Sequence, residues 1–220
     1  MNTQPASSLA RSKISLRLGL CAAVLATTAA MTPEAHAVVV TFSTPIAVPN
    51  TFAGVYINLL TGANGITPAS VPGWDIGPWG SSNTLTFFFN GTPANSSGGV
   101  AATTTGPYLD LAVGSVISSA STFSASASNL QTAAFQSSGT HRLGFRFFNE
   151  TTSAVNYGYM TLQTTGPLGF PATVTGWSFE NSGAAITVVP EPSTTLMLAL
   201  GGLALGAAQL RRSRRERLSA

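Results

Sequence analysis

The chain has 220 residues, 8% of them charged and 44% hydrophobic, and a formal net charge of +3. That balance excludes charge-driven disorder, and the single cysteine, Cys21, excludes an internal disulfide framework. The basic character sits at the two ends: residues 38–189 hold only Arg142 and Arg146 against Asp75, Asp110, Glu150 and Glu180, with no lysine, so no nucleic-acid partner is expected.

In chain order, the first element is a secretory signal peptide over residues 1–37. Arg11, Lys13 and Arg17 precede an apolar run, Leu18 to Ala30, that is too short for a comfortable membrane span. Ala35 and Ala37 flank His36 in the small-x-small pattern of a signal-peptidase site, which places the cut before Val38. An uncleaved N-terminal anchor is the alternative.

Residues 38–189 then read as a β-rich domain. Apolar and polar residues alternate with period two in GVYINLL (54–60), TLTFFFN (84–90), YLDLAV (108–113), TFSASAS (122–128) and RLGFRFF (142–148). Further strands are expected at 38–43, 155–163, 173–180 and 185–189. A short helix is an option in 125–136. Asn64-Gly65, Asn90-Gly91, Gly98-Gly99, Gly106-Pro107 and Gly166-Pro167 supply turn signals. Residues 142–163 read as a hairpin with a polar loop from Glu150 to Val155. Short strands at this spacing predict an all-β fold, an antiparallel β-sandwich or jelly-roll-like domain. Phenylalanines concentrate here and can fill its core.

The C-terminal segment has three parts. Val189-Pro190-Glu191-Pro192-Ser193 resists helix formation. Residues 194–210 carry no charge and are expected to form a single transmembrane helix. Seventeen helical residues extend about 25 Å, slightly less than a hydrocarbon core of about 30 Å, so the anchor is marginal. Arg211, Arg212, Arg214, Arg215 and Arg217 act as the stop-transfer cluster and keep this end cytoplasmic, with the bulk of the chain outside. Gly202 and Gly206 have GxxxG spacing, which in so small-residue-rich a segment reads first as composition.

These three parts, in this order at the chain end, resemble the PEP-CTERM sorting signal over residues 190–217. The resemblance implies that Pro190, Glu191 and Pro192 are recognised by an exosortase, a membrane-embedded processing enzyme of Gram-negative bacteria. It also implies transient residence in the inner membrane and final delivery to the cell surface or the extracellular space. An ordinary single-span anchor behind a Pro-rich linker is the alternative. The phrases LGFRF, NYGYMTL and GWSFE are similar to a strand pattern in the body of many PEP-CTERM proteins, although Tyr159 stands where Trp is usual.

Chemistry-bearing residues are few. Four carboxylates on separate elements suggest no acid–base pair, and no Gly-x-Ser-x-Gly elbow is present. His141 reads as a surface or strand-end residue. No clustered acidic loop or Cys/His set indicates a metal, and no cofactor is expected. The domain is therefore expected to be non-enzymatic. The strongest binding feature is PGWDIGPWG (72–80), where Trp74 and Trp79 flank Asp75 in a Pro/Gly-rich loop. That pattern fits a glycan contact, and equally two tryptophans plugging one end of the fold. Ser and Thr supply 40 of the 152 central residues, and Asn another 10. Hydroxyls and amides thus keep the surface wet. Glycosylation, residence in exopolysaccharide and simple secreted-style composition all fit.

Overall fold

The structure, a computed structural model, describes residues 38–125 and 129–190. The expected signal peptide with Ala35 and Ala37, the residues Glu191 and Pro192, the 194–210 segment and the arginine cluster lie outside the described residues. Among the described residues the chain is all-β. Its strands are β1 (Val39–Phe42), β2 (Ile46–Val48), β3 (Tyr56–Ile57), β4 (Asn64–Gly65), β5 (Ile76–Ser81), β6 (Thr84–Phe89), β7 (Gly98–Val100), β8 (Val116–Ile117), β9 (Phe123–Ser124), β10 (Gly139–Asn149), β11 (Ala154–Thr164), β12 (Ala172–Glu180) and β13 (Ile186–Thr187). Two 3₁₀ turns, Pro68–Ser70 and Asn129–Phe135, complete the elements.

The strands form one large sheet in the order β1-β12-β11-β10-β7-β9, with β2 also on β12, and a smaller sheet in the order β4-β3-β5-β6. Every pairing is antiparallel. The sheets contribute to a single core. Ile57, Ile76, Leu85, Phe87 and Phe89 come from the small sheet, and Leu143, Phe145, Phe147, Met160, Leu162, Val174, Trp177 and Phe179 from the large one. Each fully buried Phe or Leu contributes about 1.5–3 kcal/mol of transfer free energy. Trp177 also ties the layers with a polar bond, its Nε1–H donating to the Leu59 carbonyl at 2.9 Å.

The hairpin β10–β11 is the spine. Its register runs unbroken from Gly139↔Thr164 to Asn149↔Ala154. The loop is shorter than the sequence implied, because Ala154 and Val155 pair within the ladder. Period two sends Leu143, Phe145 and Phe147 into the core and Arg142 and Arg146 to the opposite face. That opposite face is covered by the β8–β13 ribbon, where Ile117, Ile186 and Val188 meet Val100, Phe123, Tyr157 and Tyr159 in a second apolar cluster. Arg146 lies over the Phe123 ring at 4.7 Å, and burial pushes its guanidinium below the usual range against the opposing effect of Tyr157.

One β-bulge sets the inward face of β12. Thr161 pairs with Gly176 but Leu162 pairs with Val174, leaving Thr175 as the extra residue. The parity change lets both Val174 and Trp177 face the core, which strict alternation would forbid.

Several expected elements differ. The strand at 54–60 is reduced to β3. Asn58 diverts the chain there: its Nδ2 donates to the Pro72 and Gly73 carbonyls and its Oδ1 accepts from Thr61 N at 2.8 Å, which bends 58–61 into a turn. The segment 108–113 forms only two isolated bridges, Ala101↔Tyr108 and Asp110↔Leu143, and Leu109 and Val113 are exposed. Asn64-Gly65 is β4 rather than a turn. Trp79 sits in β5 rather than in a loop. The helix option in 125–136 takes the form of the second 3₁₀ turn, and of the expected strand 122–128 only β9 lies within the described residues.

Candidate functional site

The outer face of the small sheet collects aromatic side chains. Along β5 and β6 the register pairs Gly77 with Phe88 and Trp79 with Thr86, while Ile76↔Phe89 and Pro78↔Phe87 take the core side. Trp79 and Phe88 therefore share the outward face. Tyr56 joins them because its neighbour Ile57 pairs with Ile76 on the core side. Trp74 enters from the turn before β5 and packs between two rings, stacked on Phe88 at 5.5 Å and edge-on to Tyr56 at 5.0 Å. Phe52 arrives from the segment that runs beside β5 and meets Trp79 edge-on at 4.9 Å.

Backbone geometry fixes that approach. Val55 N donates to Pro78 O and Gly80 N donates to Thr51 O, so residues 51–55 hug β5. Gly54 has φ of +59°, and a Cβ there would lie 2.2 Å from Pro78 O. Only glycine fits both demands. The result is a groove of about 360 Å³ lined by Phe52, Ala53, Tyr56, Gly77, Trp79 and Phe88. Phe52 is 84% exposed and Phe88 45%, unusual for such large apolar rings.

Of the three residues expected to form a glycan contact, Trp74 and Trp79 share this face and Asp75 does not. Asp75 is buried, and its Oδ2 accepts from Leu59 N at 2.7 Å. Burial pushes its carboxyl up to about 8, the Leu59 N–H opposes that rise, and Glu150 adds to it. Asp75 thus serves the turn that carries Trp74, with Asn90 Nδ2 holding the Trp74 carbonyl at 2.9 Å. Phe52, Tyr56 and Phe88 do not stand out in the sequence. One signal points to the last of them: in Phe87-Phe88-Phe89 a period-two strand must turn one ring away from the other two.

The remaining acidic residues are structural in their contacts. Glu150 lies near enough to Asp75 to add to the rise of its pKa. Glu180 is buried and caps the turn that follows β12, accepting from Ser182 N and Ala184 N at 2.9 and 2.6 Å. Asp110 receives Arg142 N at 2.8 Å on one oxygen and lies 2.7 Å from His141 Nδ1 through the other.

His141 is buried, not a surface residue. With Asp110 on one side and Ser137 on the other it resembles a nucleophile triad in composition. The distances argue otherwise. Nε2 lies 3.2 Å from the Ser137 carbonyl and 3.5 Å from its hydroxyl. The ring thus faces Asp110 on one side and, on the other, lies nearer to the Ser137 carbonyl than to its hydroxyl, the geometry of a packing contact. The same carbonyl accepts from Thr164 Oγ1 at 2.6 Å. His141 is a clip between the 108–113 segment and the end of the second 3₁₀ turn. His141→Ala is expected to destabilise the domain by about 2 kcal/mol, and Ser137→Ala by less than about 0.5 kcal/mol, read as shifts of the urea midpoint. Equal losses would remove the distinction.

At the C-terminal side the last described residues, 188–190, leave the fold. Val188 is buried, its N–H donates to Ser115 O at 2.8 Å and its carbonyl accepts from Gly114 N at 2.8 Å. Val189 and Pro190 are exposed and border a groove of about 400 Å³ lined by hydroxyl residues that include Thr41, Tyr159, Thr161 and Ser178. Among the described residues no helix is long and apolar enough to cross a membrane.

The antiparallel all-β domain is followed directly in sequence by the Val189-Pro190-Glu191-Pro192-Ser193 segment. Residues 188–215 match the PEP-CTERM protein-sorting motif, so the chain carries that motif at its C-terminal end. The motif marks an exported substrate of exosortase with a surface or extracellular destination. No curated protein and no solved structure matches the chain.

Proposed function

We propose that this is a non-catalytic protein of the cell surface or extracellular matrix, built as a β-sandwich passenger that associates with exopolysaccharide. The sorting motif supports the reading, because such a motif fits export to the cell surface or beyond. The signal peptide (1–37) and the transmembrane helix with its arginine block (194–217) handle export, with signal peptidase cutting after Ala37. Removal of residues 190–220 is expected to abolish processing and surface delivery, seen as an unshifted mass in fractionated cells. Delivery at the normal level would refute the sorting role.

The outer aromatic face favours a second, more specific reading, a carbohydrate-binding module. Two tryptophans brought onto one open face with three other rings support it. Retention of the purified protein by an insoluble or gel-embedded polysaccharide tests it.

A further inference from the structure

We propose that the groove on the small sheet binds the chain of an uncharged polysaccharide, stacking pyranose rings on Trp79 and Phe88 with Phe52 and Tyr56 as walls. This rests on the carbohydrate-binding reading above and names its ligand class.

The groove's shape follows from one absent side chain. Gly77 lies on the outward face between the tyrosine and tryptophan positions, and a Cβ there would already stand 3.7 Å from the Tyr56 ring. Glycine leaves a floor of backbone between rings. The rings form two groups on either side of it. Phe52 braces Trp79 on one side, and Tyr56 braces Trp74, which stacks on Phe88, on the other. Each group is held by aromatic neighbours, so the platform is formed before a ligand arrives and little ordering is lost on binding.

The chemistry of the lining selects the ligand. Among the described residues no charged side chain borders the groove. Asp75, the nearest acidic residue in sequence, is turned into the interior. Arg142 and Arg146, the domain's two cations, belong to β10 of the other sheet. Residues 38–189 are net negative, with four carboxylates against these two arginines. A uronate, sulfate or phosphate polymer would lose hydration here without meeting a countercharge. A neutral pyranose loses little, since its C–H face covers aromatic carbon while its hydroxyls stay in water.

Size argues for a polymer segment over a folded partner. A volume of about 360 Å³ lies in the lower part of the range of small-ligand sites, about 300–1,000 Å³. A second copy of the chain would need a far broader contact.

The test is affinity electrophoresis of the processed protein recovered from producing cells, through native gels containing neutral β-glucan, neutral mannan or alginate. The expected result is retardation by at least one neutral polymer and none by alginate. Phe52→Ala and Phe88→Ala, at exposed positions that leave the core intact, should each weaken the retardation at least fivefold with an unchanged melting temperature. Retardation by alginate alone, lost in these variants, would overturn the neutral class and keep the carbohydrate-binding reading. Retardation by a neutral polymer that the variants leave unchanged would overturn the site alone. No retardation in any gel would overturn both. Self-association that Phe52→Ala abolishes would assign the groove to a second copy and overturn the proposal.

Discussion

Asp75→Asn is expected to make the protein more stable at pH 8 than the native chain, and to leave it little changed at pH 4. The native carboxyl is buried and its pKa is raised from 3.8 to about 8, first by burial and last by Glu150. Between those values the folded state holds a proton that the unfolded state releases. The stabilisation is therefore complete below about pH 4, declines as pH rises through the window, and is gone above about pH 8. Each pH unit crossed within that window removes about 1.4 kcal/mol, so the total loss is on the order of 4–6 kcal/mol. Asparagine cannot ionise, and its Oδ1 can still accept from Leu59 N. Urea midpoints at pH 4, 6 and 8 should fall for the native chain and stay nearly level for the variant. Parallel curves would show that Asp75 ionises freely. Glu150→Gln should flatten the curve in the same direction by a smaller amount. The consequence reaches the aromatic face, because Asp75 holds the turn that presents Trp74.

The parts of this fold that sequence made legible are those governed by period alone. The β10–β11 hairpin and β12 follow from RLGFRFF, NYGYMTL and GWSFE, because long alternating runs leave one choice of face. Legibility failed where a side chain competes with the ladder. Asn58 binds three backbone groups and ends β3 early. Asp110 spends both oxygens on His141 and Arg142, so the alternation of Leu109, Leu111 and Val113 builds a loop contact and no strand. The Asp110 contacts and the Asn58 bonds to Pro72 and Gly73 join residues distant in sequence, which no local pattern encodes, whereas the Asn58–Thr61 bond is a local turn.

The candidate site divides in the same way. The tryptophan pair is visible in PGWDIGPWG, but grouping it with Asp75 assumes a loop in which all three side chains point outward. In the structure β5 begins at Ile76, directly after Asp75, and the turn delivers that carboxyl inward to Leu59 N. Trp74 and Trp79 meet on one face only because the turn re-aims the first and strand parity aims the second. Phe52 is not legible at all. Its place depends on Gly54 adopting a positive φ beside Trp79.

Gly158→Ala is expected to produce a large loss of stability from a single methyl group. Gly158 lies on β11 opposite Phe145 of β10 and Phe179 of β12. A Cβ there would stand 2.5 Å from two carbons of the Phe145 ring and 2.5 Å from the Ser178 carbonyl. The ring cannot yield, because Phe145 is fully buried and its edge meets Phe147, which itself meets Phe179. The carbonyl cannot yield, because it belongs to the β11–β12 ladder. Overpacking of this kind costs typically about 1–3 kcal/mol, and a site blocked by both a ring and a backbone atom belongs at or above the upper end. A domain of this size should lose about 6–10 °C in melting temperature by circular dichroism. Phe145→Leu in the Gly158→Ala background should recover part of the loss, since a leucine frees the space above the glycine. A Gly158→Ala chain that melts with the native protein would mean that the aromatic layer is looser than these distances require. The same glycine explains the sequence phrase NYGYMTL in physical terms: Tyr157 and Tyr159 fill the second cluster, and the residue between them must be small enough for a phenylalanine to lie across it.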